Sequence, residues 1–269
     1  MARQGLALAS AFGLAACVTA PASNAIAVSS YNPDCRAIGS FLDNAVAEGR
    51  TVGASTLIWK DGREVCFANA GSASREAIRT FARDTLVQVF SMTKPVTGVA
   101  LMQLWEQGKF GLDDLLYWHR DLKVATEIGS DGNLVLRDPS RPPTVRDVLR
   151  HTAGFTYGRS DEPADRVWAQ LQPLSTQNTL AEFSARMAKV PLRADPGTRW
   201  IYSASVDIQA RLVETLSGMA FDEYVATRIF APLEMNDSGW HGYTSPGRTA
   251  LSTLCPATNA SRRISPASR

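Results

Sequence analysis

From Pro33 to Glu48 the apolar positions Ile38, Phe41, Leu42, Ala45 and Val46 recur at helical spacing, and Gly49 supplies a stop, so the segment is predicted to be an amphipathic helix. The period then changes. ASTLIWK and EVCFANA are strand-like runs flanking Asp61-Gly62 and Arg63, and residues 54 to 70 read as a β-hairpin turning at the Asp-Gly pair. Leu86 to Phe90 is a short apolar run that leads straight into Ser91. From Val96 to Trp105 the chain, VTGVALMQLW, is apolar nearly all round, which predicts a helix enclosed by other elements and ending near Gly108.

Farther on, Thr144 with Asp147 three residues later reads as an N-terminal cap for TVRDVLRH, and Pro191 to Gly197 is a breaker-rich loop before RWIYS. Two more helices are predicted, at about 204 to 217, stopped by Gly218, and at about 221 to 230, stopped by Pro232. Residues 120 to 142, with DGN, DPS and RPP, are polar and turn-rich and read as a crossing between layers. The order of helix, hairpin, buried helix and mostly helical middle gives an α/β class: a layered fold carrying a helical insertion. Residues 244 to 269 read as an irregular tail with no strand.

The first 27 residues, MARQGLALASAFGLAACVTAPASNAIA, join one early arginine to an Ala/Leu-rich run too short to span a bilayer permanently, and they read as a bacterial export signal. Two processing sites compete. Leu14-Ala15-Ala16-Cys17 is similar to a lipobox, in which Cys17 would carry a lipid anchor, whereas Ala25-Ile26-Ala27 fits an ordinary small-x-small cleavage site. Either way the expectation is an exported protein, periplasmic or held at the membrane as a lipoprotein. Export would permit a Cys35–Cys66 disulfide; two buried free thiols are the plainer expectation.

With 45% hydrophobic and 20% charged residues the chain has ordinary globular composition, and its net charge of +2 comes with no basic run that would suggest nucleic acid. Cysteine and histidine spacings fit neither a zinc site nor the H-E-x-x-H pattern, so neither a metal nor another cofactor is implied. The partner to look for is a small molecule.

SMTKPVTG, residues 91 to 98, contains the chain's single S-x-x-K, Ser91 to Lys94. At the start of a helix, residues three apart share a face, so the Lys94 ammonium can reach the Ser91 hydroxyl while the helix N-terminus favours an alkoxide. The plainer role for the same residues is a serine N-cap beside a solvated lysine. No G-x-S-x-G elbow surrounds any serine, which argues against an α/β-hydrolase.

Taken together, FSMTKPVTGVALMQLWEQGK, LRHTAGFTYG, DPGTRWIYS and RIFAPLEMNDSGW resemble the β-lactamase-like serine hydrolases: class C β-lactamases, D-alanyl-D-alanine carboxypeptidases and family VIII carboxylesterases. The resemblance runs from about residue 34 to 242, within a domain spanning 28 to 243. It implies a β-lactamase/transpeptidase-like fold, an antiparallel sheet flanked by helices plus a mostly helical insertion. It also implies Ser91 as acyl-accepting nucleophile, Lys94 as assisting cation and Tyr202 as general base. His151, in LRHTAGF, matches a position that holds a loop rather than transfers protons. Trp200 and Tyr157 are candidates to line the acyl pocket, with core packing the plainer role for each.

The sequence departs from the family twice. Ala204 stands where penicillin-recognising members carry an asparagine, so the resemblance leans to the esterase branch, with a small ester as substrate and a β-lactam or peptide amide as alternative. No K-T-G, H-x-G or W-G-G triplet follows Tyr202, so the chain reads as lacking the C-terminal strands, one of which carries an oxyanion-hole amide. A truncated, catalytically dead domain is the reading from a different class.

Overall fold

A computed structural model describes residues 33–240 apart from 75–78, 117, 118 and 120. The export signal with Cys17, and the tail with Cys255, lie outside the described residues. The chain divides into two compact units, residues 1–82 and 83–269.

In the first unit the predicted helix is α1, Cys35–Ala47. Asp34 caps it, its carboxylate accepting the amides of Arg36 at 2.9 Å and Ala37 at 3.2 Å, and Leu42 and Ala45 point into the core. The hairpin follows as β1 (Gly53–Lys60) and β2 (Arg63–Ser74), antiparallel, with Ala54 opposite Ala70 and Ile58 opposite Cys66. Asp61 and Gly62, at φ of 52° and 72°, both take the left-handed conformation that a two-residue hairpin turn demands. A short β3 (Arg79–Thr80) pairs with β2, giving the order β1-β2-β3. Cys35 and Cys66 are joined in a disulfide, Cα to Cα 5.6 Å, which tacks the start of α1 to the middle of β2. The plainer expectation of free thiols is therefore corrected: the helix start lies within bridging reach of a cysteine thirty-one residues away, a proximity that only the folded hairpin creates.

The second unit leads through Leu86–Val89, which join no described sheet, into a 3₁₀ turn (Phe90–Met92) running directly into α2 (Thr93–Glu106). A second hairpin, β4 (Val124–Ile128) with β5 (Leu134–Arg137), precedes α3 (Val145–Leu149), α4 (Pro163–Leu171), α5 (Leu180–Met187), α6 (Ser205–Ser217) and α7 (Phe221–Val225), which ends in a π turn (Ala226–Phe230). One hydrophobic core joins them, with Leu101 and Leu104 of α2 meeting Val148, Phe155, Phe183, Ile208 and Val213. The Thr144–Asp147 capping box forms as predicted, and Gly218, at φ 74°, ends α6.

Two expectations change. Residues 120 to 142 do not simply cross between layers but fold into the β4–β5 hairpin, whose polarity misleads because only Val124 and Ala125 are buried. Nor is α2 enclosed all round: Val99 and Trp105 are 49% and 42% exposed, and the helix buries only one face.

His119 is fully buried, edge-on to Phe155, with no hydrogen-bond partner for either ring nitrogen among the described residues. Burial lowers its pKa from 6.5 to about 4. Because the unfolded chain then binds a proton that the fold refuses, stability falls as pH drops from 6.5 towards 4, by roughly 3 kcal/mol in all. Chemical denaturation of the protein across that range should show the loss, and His119→Leu should remove most of this pH dependence.

The disulfide generates a second expectation. Closing a loop of this size is worth roughly 3–4 kcal/mol by the chain-entropy estimate, so Cys66→Ser should lower the melting temperature under non-reducing conditions and make it insensitive to dithiothreitol.

Candidate active site

Phe90, just before Ser91, sits in the left-handed region at φ 43°, a conformation that costs energy for a bulky residue and marks a strained elbow. The 3₁₀ turn that follows puts Ser91 and Lys94 on one side of the start of α2, with the Lys94 Nζ donating to Ser91 Oγ at 3.0 Å. Ser91 is not the N-cap: that position is Met92, without a side-chain hydrogen bond, so the serine hydroxyl is left for other partners. Ser91 is exposed.

The other partner arrives from 111 residues away: the Tyr202 hydroxyl lies 2.7 Å from Ser91 Oγ. Backbone hydrogen bonds hold it there. Leu192 pairs with β4, donating to Lys123 O at 2.7 Å and accepting from Ala125 at 2.9 Å. Arg193, Gly197 and Ile201 donate to the carbonyls of Gly154, Thr152 and His151, each at 2.8 Å, and Ala204 donates to Thr156 at 3.3 Å. The breaker-rich loop is thus stitched along the 151–156 turn like an added strand. Its Asp195 is pinned by Arg137 of β5, whose guanidinium reaches both carboxylate oxygens at 3.0 and 2.5 Å, and by the Ser140 amide at 2.7 Å.

The 151–156 turn has its own anchor. Asp147, buried in the first turn of α3, takes both arms of the Arg141 guanidinium at 2.5 and 2.9 Å, together with the Thr144 amide and hydroxyl and the Thr152 hydroxyl. Burial alone would raise its pKa, but these donors outweigh it and hold the carboxyl at about 2.

His151, at φ 58°, turns its ring back so that Nδ1 accepts the Ser203 amide at 3.3 Å; the bond makes Nδ1 the unprotonated nitrogen of the neutral ring. Burial, then the Lys94 charge, lower its pKa further below 6.5, which keeps it neutral. It stacks near Tyr202, ring centroids 5.3 Å apart, and contacts the tyrosine loop rather than the serine.

Burial raises the Tyr202 pKa, yet hydrogen bonds from Lys94 and Ser91 and the charges of Lys94 and Arg159 overcome it, so the phenol lies below its ordinary value of 10. Lys94 Nζ is 4.6 Å from the Tyr202 ring centroid. The two candidate pocket aromatics separate in character. Trp200 stacks on Tyr202 at 6.1 Å and is 63% exposed, so core packing is not its role; Tyr157 is buried, 5.4 Å from Tyr202 and 6.3 Å from Trp168. Sequence reasoning missed Arg159, whose charge reaches Tyr202; its signal was present only as the cation two residues beyond Tyr157 in TYGRS.

The family model described as Beta-lactamase matches residues 38–262. The chain belongs to the β-lactamase family. Esterase EstB of Burkholderia gladioli is 30% identical over 210 residues, covering 76% of this chain and 50% of EstB. Among solved structures, EstCE1, a hydrolase with promiscuous acyltransferase activity, superposes with a TM-score of 0.61 at 29% identity, covering 74% of this chain and 50% of that one. The octameric penicillin-binding protein homologue from Pyrococcus abyssi gives 0.58 at 27% identity, covering 76% and 44%. The fold is the β-lactamase/transpeptidase-like one expected from the motifs. This member of the family spans about half the length of the curated relatives it matches.

If Lys94 holds the Tyr202 phenol down, Lys94→Met should raise the Tyr202 pKa. Titration of ¹³Cζ-tyrosine NMR signals, with Tyr202→Phe identifying the resonance among the six tyrosines, reads the shift directly. An unchanged pKa would assign the effect elsewhere.

Proposed function

We propose that this β-lactamase-family chain is a serine hydrolase that cleaves small esters through an acyl-enzyme on Ser91. The observation that carries this reading is the Ser91 hydroxyl held between the Tyr202 hydroxyl at 2.7 Å and the Lys94 ammonium at 3.0 Å, within the range expected of a nucleophile and its base.

Tyr202, as phenolate stabilised by Lys94, takes the Ser91 proton while Oγ bonds to the acyl carbon. The oxyanion forms near the positive end of α2. Collapse breaks the ester bond, and the leaving alkoxide takes the proton from Tyr202. Water then loses a proton to Tyr202 and attacks the acyl carbon, releasing the acid and returning the proton to Ser91. His151 stays outside the proton path and keeps the Tyr202 loop in place.

Support for an ester over a lactam comes from Ala204, which is fully buried at the start of α6 and offers no side-chain amide to a bound ligand, and from the similarity to EstB and EstCE1. The likeness to a penicillin-binding protein homologue keeps β-lactams and D-alanyl peptides as the second reading. Export remains part of the proposal, supported by the Cys35–Cys66 disulfide, which persists in an oxidising compartment; labelling of Cys17 with radioactive palmitate in a bacterial host would separate a lipoprotein from a periplasmic one.

A fluorophosphonate probe should label the protein and not Ser91→Ala. Short-chain p-nitrophenyl esters should be turned over faster than nitrocefin, and Tyr202→Phe should lower kcat/KM by about 10²–10⁴-fold. Absence of labelling would favour a domain that binds without catalysis, and a preference for nitrocefin would move the substrate to β-lactams.

A further inference from the structure

Around Ser91 the charged groups are unevenly paired. Arg193 and Arg199 both pair with Glu162, Arg193 through two of its guanidinium nitrogens. Lys94 is engaged with Ser91 and Tyr202. Arg159 is different: it is exposed, its guanidinium lies 5.2 Å above the Tyr157 ring centroid, and no carboxylate pairs with it among the described residues. The same ring has Lys94 Nζ 5.9 Å from its centroid, so the two cations flank one aromatic wall.

The loop bearing Arg159 is built to hold it. Asp165, buried at the start of α4, accepts the Thr156 hydroxyl and both the amide and hydroxyl of Ser160, bracketing residues 157 to 159. Gly158 donates its amide to Thr156 Oγ1 at 3.1 Å, at φ 67°, and a Cβ there would collide with the Trp168 indole. An arginine on so fixed a backbone, its guanidinium over a ring and without a carboxylate partner among the described residues, is preorganised for a planar anion.

We propose that Arg159 is a specificity-determining residue that selects esters carrying a free carboxylate a short spacer from the scissile carbonyl, such as monoesters of short dicarboxylic acids. The carboxylate pairs with the exposed guanidinium while the ester carbonyl lies at Ser91. The inference rests on the proposed hydrolase site and names its substrate class.

The test uses binding, so that it does not depend on turnover. In the full chain carrying Ser91→Ala, dissociation constants of mono-p-nitrophenyl succinate and of its uncharged methyl ester are measured by calorimetry. The charged ester should bind about five- to ten-fold more tightly, with the advantage shrinking at high salt, as a partly exposed charge-assisted contact requires. Adding Arg159→Gln should cost the charged ester most of that advantage and the neutral ester much less, whereas Arg159→Lys should retain part of it. Equal affinities for the two esters, an equal loss of both in Arg159→Gln, or no binding of either would overturn the assignment. Turnover of p-nitrophenyl butyrate by the unmodified protein is scored separately: its absence counts against the hydrolase, and its presence with no carboxylate preference counts against the role of Arg159 alone.

Discussion

The site depends on the lashing of residues 191–204 to the turn at 151–156. A tyrosine hydroxyl can rest 2.7 Å from a serine 111 residues away only if the intervening backbone is fixed on both sides, and here successive amides of Arg193, Gly197, Ile201 and Ala204 find carbonyls along one short turn. Each such bond contributes about 1 kcal/mol net, but an amide left unpaired there would cost more than its bond contributes, so the register is held as a set. Gly197, at φ 86°, makes the close approach feasible: a Cβ at that position would press on the Arg141 guanidinium.

Carboxylates serve as the fixed points of this arrangement. Asp147 holds the histidine turn, Asp195 holds the loop before Trp200, and Asp165 holds the segment with Tyr157 and Arg159. Each collects several donors, which is what makes a buried or half-buried carboxylate tolerable and rigid. The acids are thereby consumed in scaffolding, leaving Lys94 and Arg159 as the charges that bear on Tyr202. A phenol in that field ionises more readily than in water, and an anionic ligand is drawn to the same place.

The helix carrying the nucleophile gives the remaining condition. Leu101 and Leu104 root α2 in the core against α6, the helix that begins three residues after Tyr202, so serine and tyrosine ride on the starts of two packed helices. Family membership accounts for the shared motifs, and the likeness to EstB and EstCE1 accompanies a buried alanine at the start of α6.

Local signals were legible wherever one short segment settled the outcome. The α1 periodicity, the Asp61-Gly62 turn, the Thr144–Asp147 capping box, the Gly218 stop and the S-x-x-K spacing each act within a few residues, and all of them appear in the fold. The motifs also singled out Ser91, Lys94 and Tyr202, whose side chains lie within hydrogen-bonding distance in the fold. What the sequence could not disclose was set by contacts between distant segments. The β4–β5 hairpin hides only two side chains, so its apolar pattern is faint; Cys35 meets Cys66 only once helix and hairpin have folded; Trp200 stacks on Tyr202 and stays exposed. Arg159 looked like any surface cation, and its bearing on the site comes from a loop held by Asp165 against Tyr157, a placement decided by tertiary hydrogen bonds rather than by any local preference of the chain.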